Sequence, residues 1–208
     1  MLDDIGASPC SARKAGRLSR AVSYAAVLEE LGATLRRIHD IDQTAMEASS
    51  LVPGDRGATD LRERLSGMFE RLISALADDD RWSAEIDVRA VSERCLDGLP
   101  DGTPAVALHS KPGAEHCFVD PATGRFTGLI DFGDAYRSHP ALDVRAWRSP
   151  DDSARMLAGY RALGPLSPGF EHLWRAGLVT THLRLATRGY HEPADAARTI
   201  RELLEPLG

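Results

Sequence analysis

The feature that most restricts this chain is a short apolar, strand-like stretch at residues 104–130, set between two groups of amphipathic helices. Upstream, Leu28, Leu31, Leu35 and Ile38 recur at spacings of three and four, which predicts a helix over about 18–39 that ends near His39-Asp40. Asp60 and Glu63 stand as a capping-box pair before Leu61, Leu65, Met68, Leu72 and Leu76, a second amphipathic helix. Asp78-Asp79-Asp80 ends it, and a third helix is expected from about 83 to 97. In the middle, Pro104–Leu108, Cys117–Val119 and Phe126–Ile130 read as strands, the last two joined by the turn Asp120-Pro121-Ala122-Thr123-Gly124. After Asp131 the pattern returns to helix, with Ser149-Pro150 and Ser167-Pro168 as openings and Ala197, Ile200, Leu204 and Leu207 along the last face. The expected class is mostly α with a small β cluster, α+β, in which a few strands present a loop. Residues 1–17 lack periodicity and are expected to be a flexible N-terminal segment, with one domain over 18–208.

Charge and composition exclude several functions. A net charge of −6 argues against broad nucleic-acid binding, since neutralising phosphates needs a basic surface. The three cysteines, Cys10, Cys95 and Cys117, form no C-x-x-C pair, so neither a zinc knuckle nor a disulfide framework is indicated. Met1–Gly6 carries acids where a secretory leader has basic residues, and no apolar run approaches the ~18 residues a membrane span requires. A cytoplasmic protein without membrane attachment is expected. Arginine supplies nearly all of the 25 basic residues; Lys14 and Lys111 are the two lysines.

Lys111 lies in the most informative segment, AVALHSKPGAEHCFVDPATGRFTGLIDFGDAYRSHPALDVRA, residues 105–146. It resembles the catalytic core of aminoglycoside and macrolide phosphotransferases, which have the protein-kinase-like fold. The matching pattern is H-x-D-x-x-x-x-N, a hairpin, G-x-I-D-[FW] and P-x-x-D. The positions here are His109, Lys111 and His116, then Gly128, Ile130, Asp131 and Phe132, then Pro140 and Asp143. LGATLRRIHDID at 31–42 also looks like the family's helix into this lobe, so the likeness covers most of 28–207. The resemblance implies the C-terminal lobe of that fold without the N-terminal ATP-binding lobe: the residues before Leu28 hold no G-x-G-x-x-G and no V-A-I-K-like strand.

In such a core, phosphoryl transfer needs positioning and charge stabilisation, with an aspartate orienting the acceptor hydroxyl and Mg²⁺ on the phosphates. The resemblance makes His109, Lys111, His116 and Asp131 the catalytic positions, with Asp131 and His116 those for Mg²⁺. Relatives also carry histidine at the position of His116. The base position, however, is Lys111, and an ordinary lysine is protonated at neutral pH and cannot accept a proton. Lys111 is expected to form a salt bridge with Asp131 in place of the metal; the competing reading is a desolvated lysine repurposed for acid–base work. His109 and Asp143 are expected to support the loop. Glu115, Asp134, Tyr136 and Trp174 are the candidate substrate-binding residues, with Trp147 a further aromatic of core or pocket. Zinc at His109 and His116 is a lesser alternative, since their spacing is not helical.

These readings lead to three functional expectations. The first is a lobe that has lost ATP-dependent phosphotransfer and binds a small-molecule metabolite, or acts on it as an isomerase-, cyclase- or lyase-like acid–base enzyme. The second is an antibiotic-type O-phosphotransferase completed by a partner chain. The third is a non-enzymatic dimeric module, with an apolar face covered by a second copy. No cofactor is expected; ATP with Mg²⁺ enters only if the family activity survives.

Overall fold

A computed structural model describes residues 24–49, 51–55, 59–100, 104–145 and 149–207. The segment expected to be flexible, 1–17, and Trp147 lie outside these residues. Eight helices are described: α1 (Tyr24–His39), α2 (Thr44–Glu47), α3 (Leu61–Leu76), α4 (Asp80–Ser83), α5 (Val88–Asp97), α6 (Pro150–Arg161), α7 (Phe170–Ala186) and α8 (Pro193–Leu204). Four short strands accompany them: β1 (Val106–Leu108), β2 (Cys117–Val119), β3 (Phe126–Leu129) and β4 (Tyr136–Ser138). The architecture is α+β, as expected.

The helix signals act as chemistry predicts. Asp60 caps α3, its carboxylate accepting from the Glu63 N–H at 2.8 Å, while the Glu63 carboxylate reaches one residue further back, to the Thr59 N–H at 2.6 Å. The stripe Leu61, Leu65, Phe69, Leu72 and Leu76 is buried. The single helix expected over 83–97 is divided instead. Asp79 caps the one-turn α4, and Asp87 accepts from the N–H groups of Arg89 and Ala90 to restart the chain as α5. Ser149 caps α6 in front of Pro150. Ser167, expected to open α7, lies one turn too early: its carbonyl accepts from Phe170 N–H, and Gly169, at φ +73°, is the N-cap.

The strands form two antiparallel pairs. β1 pairs with β4, placing Leu108 opposite Tyr136, and β2 pairs with β3 around the Asp120–Gly124 turn, whose Asp120 carboxylate accepts from the N–H groups of Ala122 and Thr123. β4 corrects the helix expected directly after Asp131. Most of α7 is buried, as in a central core helix, and it packs against α3, α5 and α8. α1 lies along α6, and Leu28, Leu31 and Leu35 are fully buried. Among the described residues no helix is long and apolar enough to cross a membrane.

Two core histidines make stability depend on pH. Burial, with the nearby His39 adding to it, holds His139 at about 4, and burial, with His191 adding to it, does the same to His182. In the unfolded chain each titrates near 6.5. Between these values the unfolded state binds more protons, so the contribution is complete above 6.5 and lost as pH falls towards 4. Lowering pH from about 7.5 to about 5 is expected to remove on the order of 2 kcal/mol per histidine. Urea unfolding midpoints across that range check this; a flat profile would contradict it.

Candidate functional site

The site is built on one buried carboxylate. Asp143 is inaccessible to solvent and sits just after a 3₁₀ turn at Pro140–Leu142. Its Oδ2 accepts from the His109 N–H and its Oδ1 from the Ser110 N–H, both at 2.7 Å. The Nε2–H of His39, at the end of α1, also meets Oδ2, at 3.1 Å. His39 Nδ1 in turn accepts from the Tyr160 hydroxyl at 3.1 Å. Burial raises the Tyr160 phenol, keeping it a donor, so a neutral His39 satisfies both partners. Asp143 thereby ties loop 109–111 to both α1 and α6, the supporting role expected of it.

His109 is buried inside the loop it supports. Its Nε2–H donates to the Ile130 carbonyl at 2.7 Å, its Nδ1 accepts from the Lys111 N–H at 3.3 Å, and its ring meets Phe132 edge-on at 4.6 Å. This fastens loop 109–111 to the segment that carries Asp131. Both segments contain a left-handed residue other than glycine: Ser110 at φ +75° and Asp131 at φ +69°. Each such residue costs roughly 1 kcal/mol or more, and strain of this kind gathers where a side chain must be aimed.

His116 joins the two segments. Its Nδ1 lies 2.8 Å from the Lys111 carbonyl and its Nε2 3.1 Å from Asp131 Oδ2. Both partners are acceptors, so only an imidazolium with two N–H donors satisfies the arrangement in full. The expected Lys111–Asp131 salt bridge is therefore replaced: Asp131 pairs with His116, which the Lys111 carbonyl anchors, and the Lys111 side chain is exposed. The Asp131 side chain is 60% exposed and presents a carboxylate to solvent beside that pair.

The other candidates divide. Glu115 and Asp134 are exposed close in sequence to His116 and Asp131. Tyr136 and Trp174 are core residues, 2% and 6% exposed, not walls of an open pocket. The Tyr136 hydroxyl accepts from Arg64, and the Trp174 indole N–H points to the Val144 carbonyl at 3.4 Å. His39 and Tyr160 are site residues that the sequence reading missed. His39 lies four residues after Leu35, on the buried face of α1, and that position was the available signal.

The magnesium implied by the resemblance can be tested against these donors. Mg²⁺ requires oxygen ligands in near-octahedral geometry. Asp131 offers one exposed carboxylate, with His116 Nε2 3.1 Å away. Among the described residues no group of three His, Cys, Asp or Glu side chains gathers as a metal cage. One exposed carboxylate would hold Mg²⁺ only together with phosphate and water oxygens from outside the chain.

Comparison with known proteins places this geometry. The sequence profile of the phosphotransferase enzyme family matches residues 11–173, most of the chain. Among solved structures, the fold is similar to macrolide 2′-phosphotransferase type I, at 22% identity and TM-score 0.56, over 84% of this chain and 58% of that one. It is similar to APH(2″)-IIa in its gentamicin complex, at 18% identity and TM-score 0.53, over 88% of this chain and 60% of that one. The GDP complex of aminoglycoside 2′-phosphotransferase-IIIa gives 16% identity and TM-score 0.53, over 89% and 63%. The chain thus spans about three fifths of the length of these structures, and the likeness is one of fold. No protein of curated function matches the sequence significantly.

Proposed function

The chain belongs to the phosphotransferase enzyme family, and we propose that it is an acceptor-side lobe that binds a small molecule and has lost ATP-dependent phosphotransfer. The observation that carries this is Lys111. It occupies the base position of the resemblance, exposed on a loop that Asp143 holds in place, while the carboxylate meant for a metal is paired with His116. An ammonium in that position gives the acceptor hydroxyl no proton acceptor. Asp131 has His116 as its partner in place of the Lys111 ammonium. What remains is a rigid, ionisable loop on a folded helical lobe, suited to binding a polar metabolite or to proton transfer with it.

A second reading has specific support: a phosphotransferase completed by a nucleotide-binding lobe from another chain. The strained backbone at Ser110 and Asp131 is what a functioning loop retains. Phe118, Val119, Ile130 and Phe132 are also exposed on the hairpin and loop next to the pair, where a covering partner would bury them.

Titration calorimetry with ATP and Mg²⁺, on wild type and on Lys111→Asp, tests the first reading. No binding heat from wild type and no phosphate transfer to an aminoglycoside or macrolide are expected. Saturable nucleotide binding with transfer by the wild-type chain would overturn it. The second reading predicts binding only after a partner lobe is added.

A further inference from the structure

Arg64 on α3, Arg145, and Arg184 on α7 lie about the contact of α3 with α7, and among the described residues only Arg64 of the three has a carboxylate in ion-pair reach, Asp55. Arg145 is laid against Gly177 of α7, where an added Cβ would come within 2.1 Å of its Cδ. Its Nη1 reaches the Gly177 carbonyl and the Thr180 and Thr181 hydroxyls at 3.4, 3.4 and 3.5 Å, the outer limit of hydrogen bonding. Both hydroxyls already donate to Gly177 O, at 2.8 and 3.1 Å, and Arg145 Nε is enclosed with no hydrogen-bond partner among the described residues.

Arg64, on α3, stacks over the Tyr136 ring at 4.2 Å and donates to its hydroxyl. Its Nη1 is also enclosed; it is ion-paired with Asp55 Oδ1 at 3.8 Å but makes no hydrogen bond among the described residues. Arg184 is exposed and continues the face of α7 marked by Gly177 and Thr181. Arg145 thus reaches Thr181, one turn before Arg184 on α7. Burial above all, with repulsion from Arg64 and Arg184, brings the Arg145 guanidinium down to about 10, still protonated at neutral pH. Asp143 is the carboxylate that opposes this, and it is already bonded to His109, Ser110 and His39. Arg137 faces the other side of β4 from Tyr136 and approaches Glu47, so it is not part of the group.

Folded proteins seldom leave enclosed N–H donors of charged groups unmet, and an uncompensated cation in such a place is strongly unfavourable. A planar anion with two oxygens answers both needs, because guanidinium forks match carboxylate and phosphate. We propose that Arg64, Arg145 and Arg184 form a binding site for an oxyanion, a carboxylate or phosphate group of a small molecule held between α3 and α7. The charge is opposite to what an amine-rich ligand would need. The site stands whether or not the loop at Lys111 transfers phosphate.

Calorimetric titration of the full chain with inorganic phosphate and with malonate, at ionic strength fixed by sodium chloride, tests it and separates the two oxyanion sources. Saturable one-to-one binding of at least one anion is expected, weakened about tenfold by Arg64→Gln and several-fold by the exposed Arg184→Ser. Arg184→Ser keeps the test decisive if Arg64→Gln fails to fold. Absence of saturable binding by either anion in wild type, or binding unchanged in the folded variants, would overturn the proposal.

Discussion

Alanine in place of Gly159 is expected to destabilise the protein by about 3 kcal/mol, at the upper end of the usual cost of overpacking. Helix propensity alone predicts the opposite sign, a gain of about 1 kcal/mol from replacing a helical glycine. The contact decides. A Cβ on Gly159 would lie 1.9 Å from the Glu29 carbonyl of α1, and a Cβ on Gly32 of α1 would lie 1.9 Å from the Met156 carbonyl of α6. Each glycine admits the backbone of the other helix, and backbone inside a helix cannot step aside as a side chain can. The helices would have to separate by about an ångström, loosening Leu28, Leu31 and Leu35 against Met156, Leu157 and Tyr160, all buried. Separation would also stretch the 3.1 Å bond between His39 on α1 and Tyr160 on α6, so the effect reaches the site. Gly32→Ala should cost a similar amount. Since one separation relieves both clashes, the double variant should cost less than the two single variants added, by about 1 kcal/mol or more. Urea unfolding followed by circular dichroism measures all three; a stabilised Gly159→Ala would show that the helices separate freely.

Much of this fold was legible because its signals are local. Asp60 and the leucine stripe of α3 needed only neighbouring residues, as did the Asp120–Gly124 turn and the cap at Ser149. β4 was not legible: Tyr136-Arg137-Ser138 shows no period, and it becomes a strand by pairing with Val106–Leu108, far away in sequence. The loop was visible through His109, Asp131 and Asp143, yet charge alone chose the wrong partner for Asp131. Opposite sign favoured Lys111, but short bonds are set by anchoring, and the Lys111 carbonyl orients the His116 ring towards the carboxylate. Tyr136 and Trp174 show the same limit, since an aromatic at helical or strand spacing suits a core or a pocket equally until its neighbours are known. The left-handed backbone had no sequence signal at Ser110 and only a weak one at Asp131, since aspartate tolerates that region better than most residues other than glycine.

Removing the carboxylate of Asp143 should be the most damaging single change at the site, costing about 3–5 kcal/mol as alanine. Three donors converge on this side chain in a space closed to water, and each would be left unpaired or would need a water admitted to the core. Asparagine keeps the shape but can accept on one atom only, so its amide would face an N–H donor. It should cost less than alanine by about 1 kcal/mol, because His39 can switch tautomer and accept from the new amide. The more informative measurement is hydrogen exchange. In wild type the amides of His109 and Ser110 should exchange as slowly as those of α7, since their partner is buried with the core. In Asp143→Ala, which removes both acceptors, they should exchange much faster while α7 keeps its protection, marking a loop released from an intact lobe. Slow exchange at Ser110 in that variant would mean that His109, through Ile130, holds the loop without Asp143. Lys111 would then be positioned from the Asp131 side alone. If the loop is released as expected, the placement of Lys111 is imposed by a carboxylate lying between α1 and α6, and the lysine stands in a loop that the fold actively maintains.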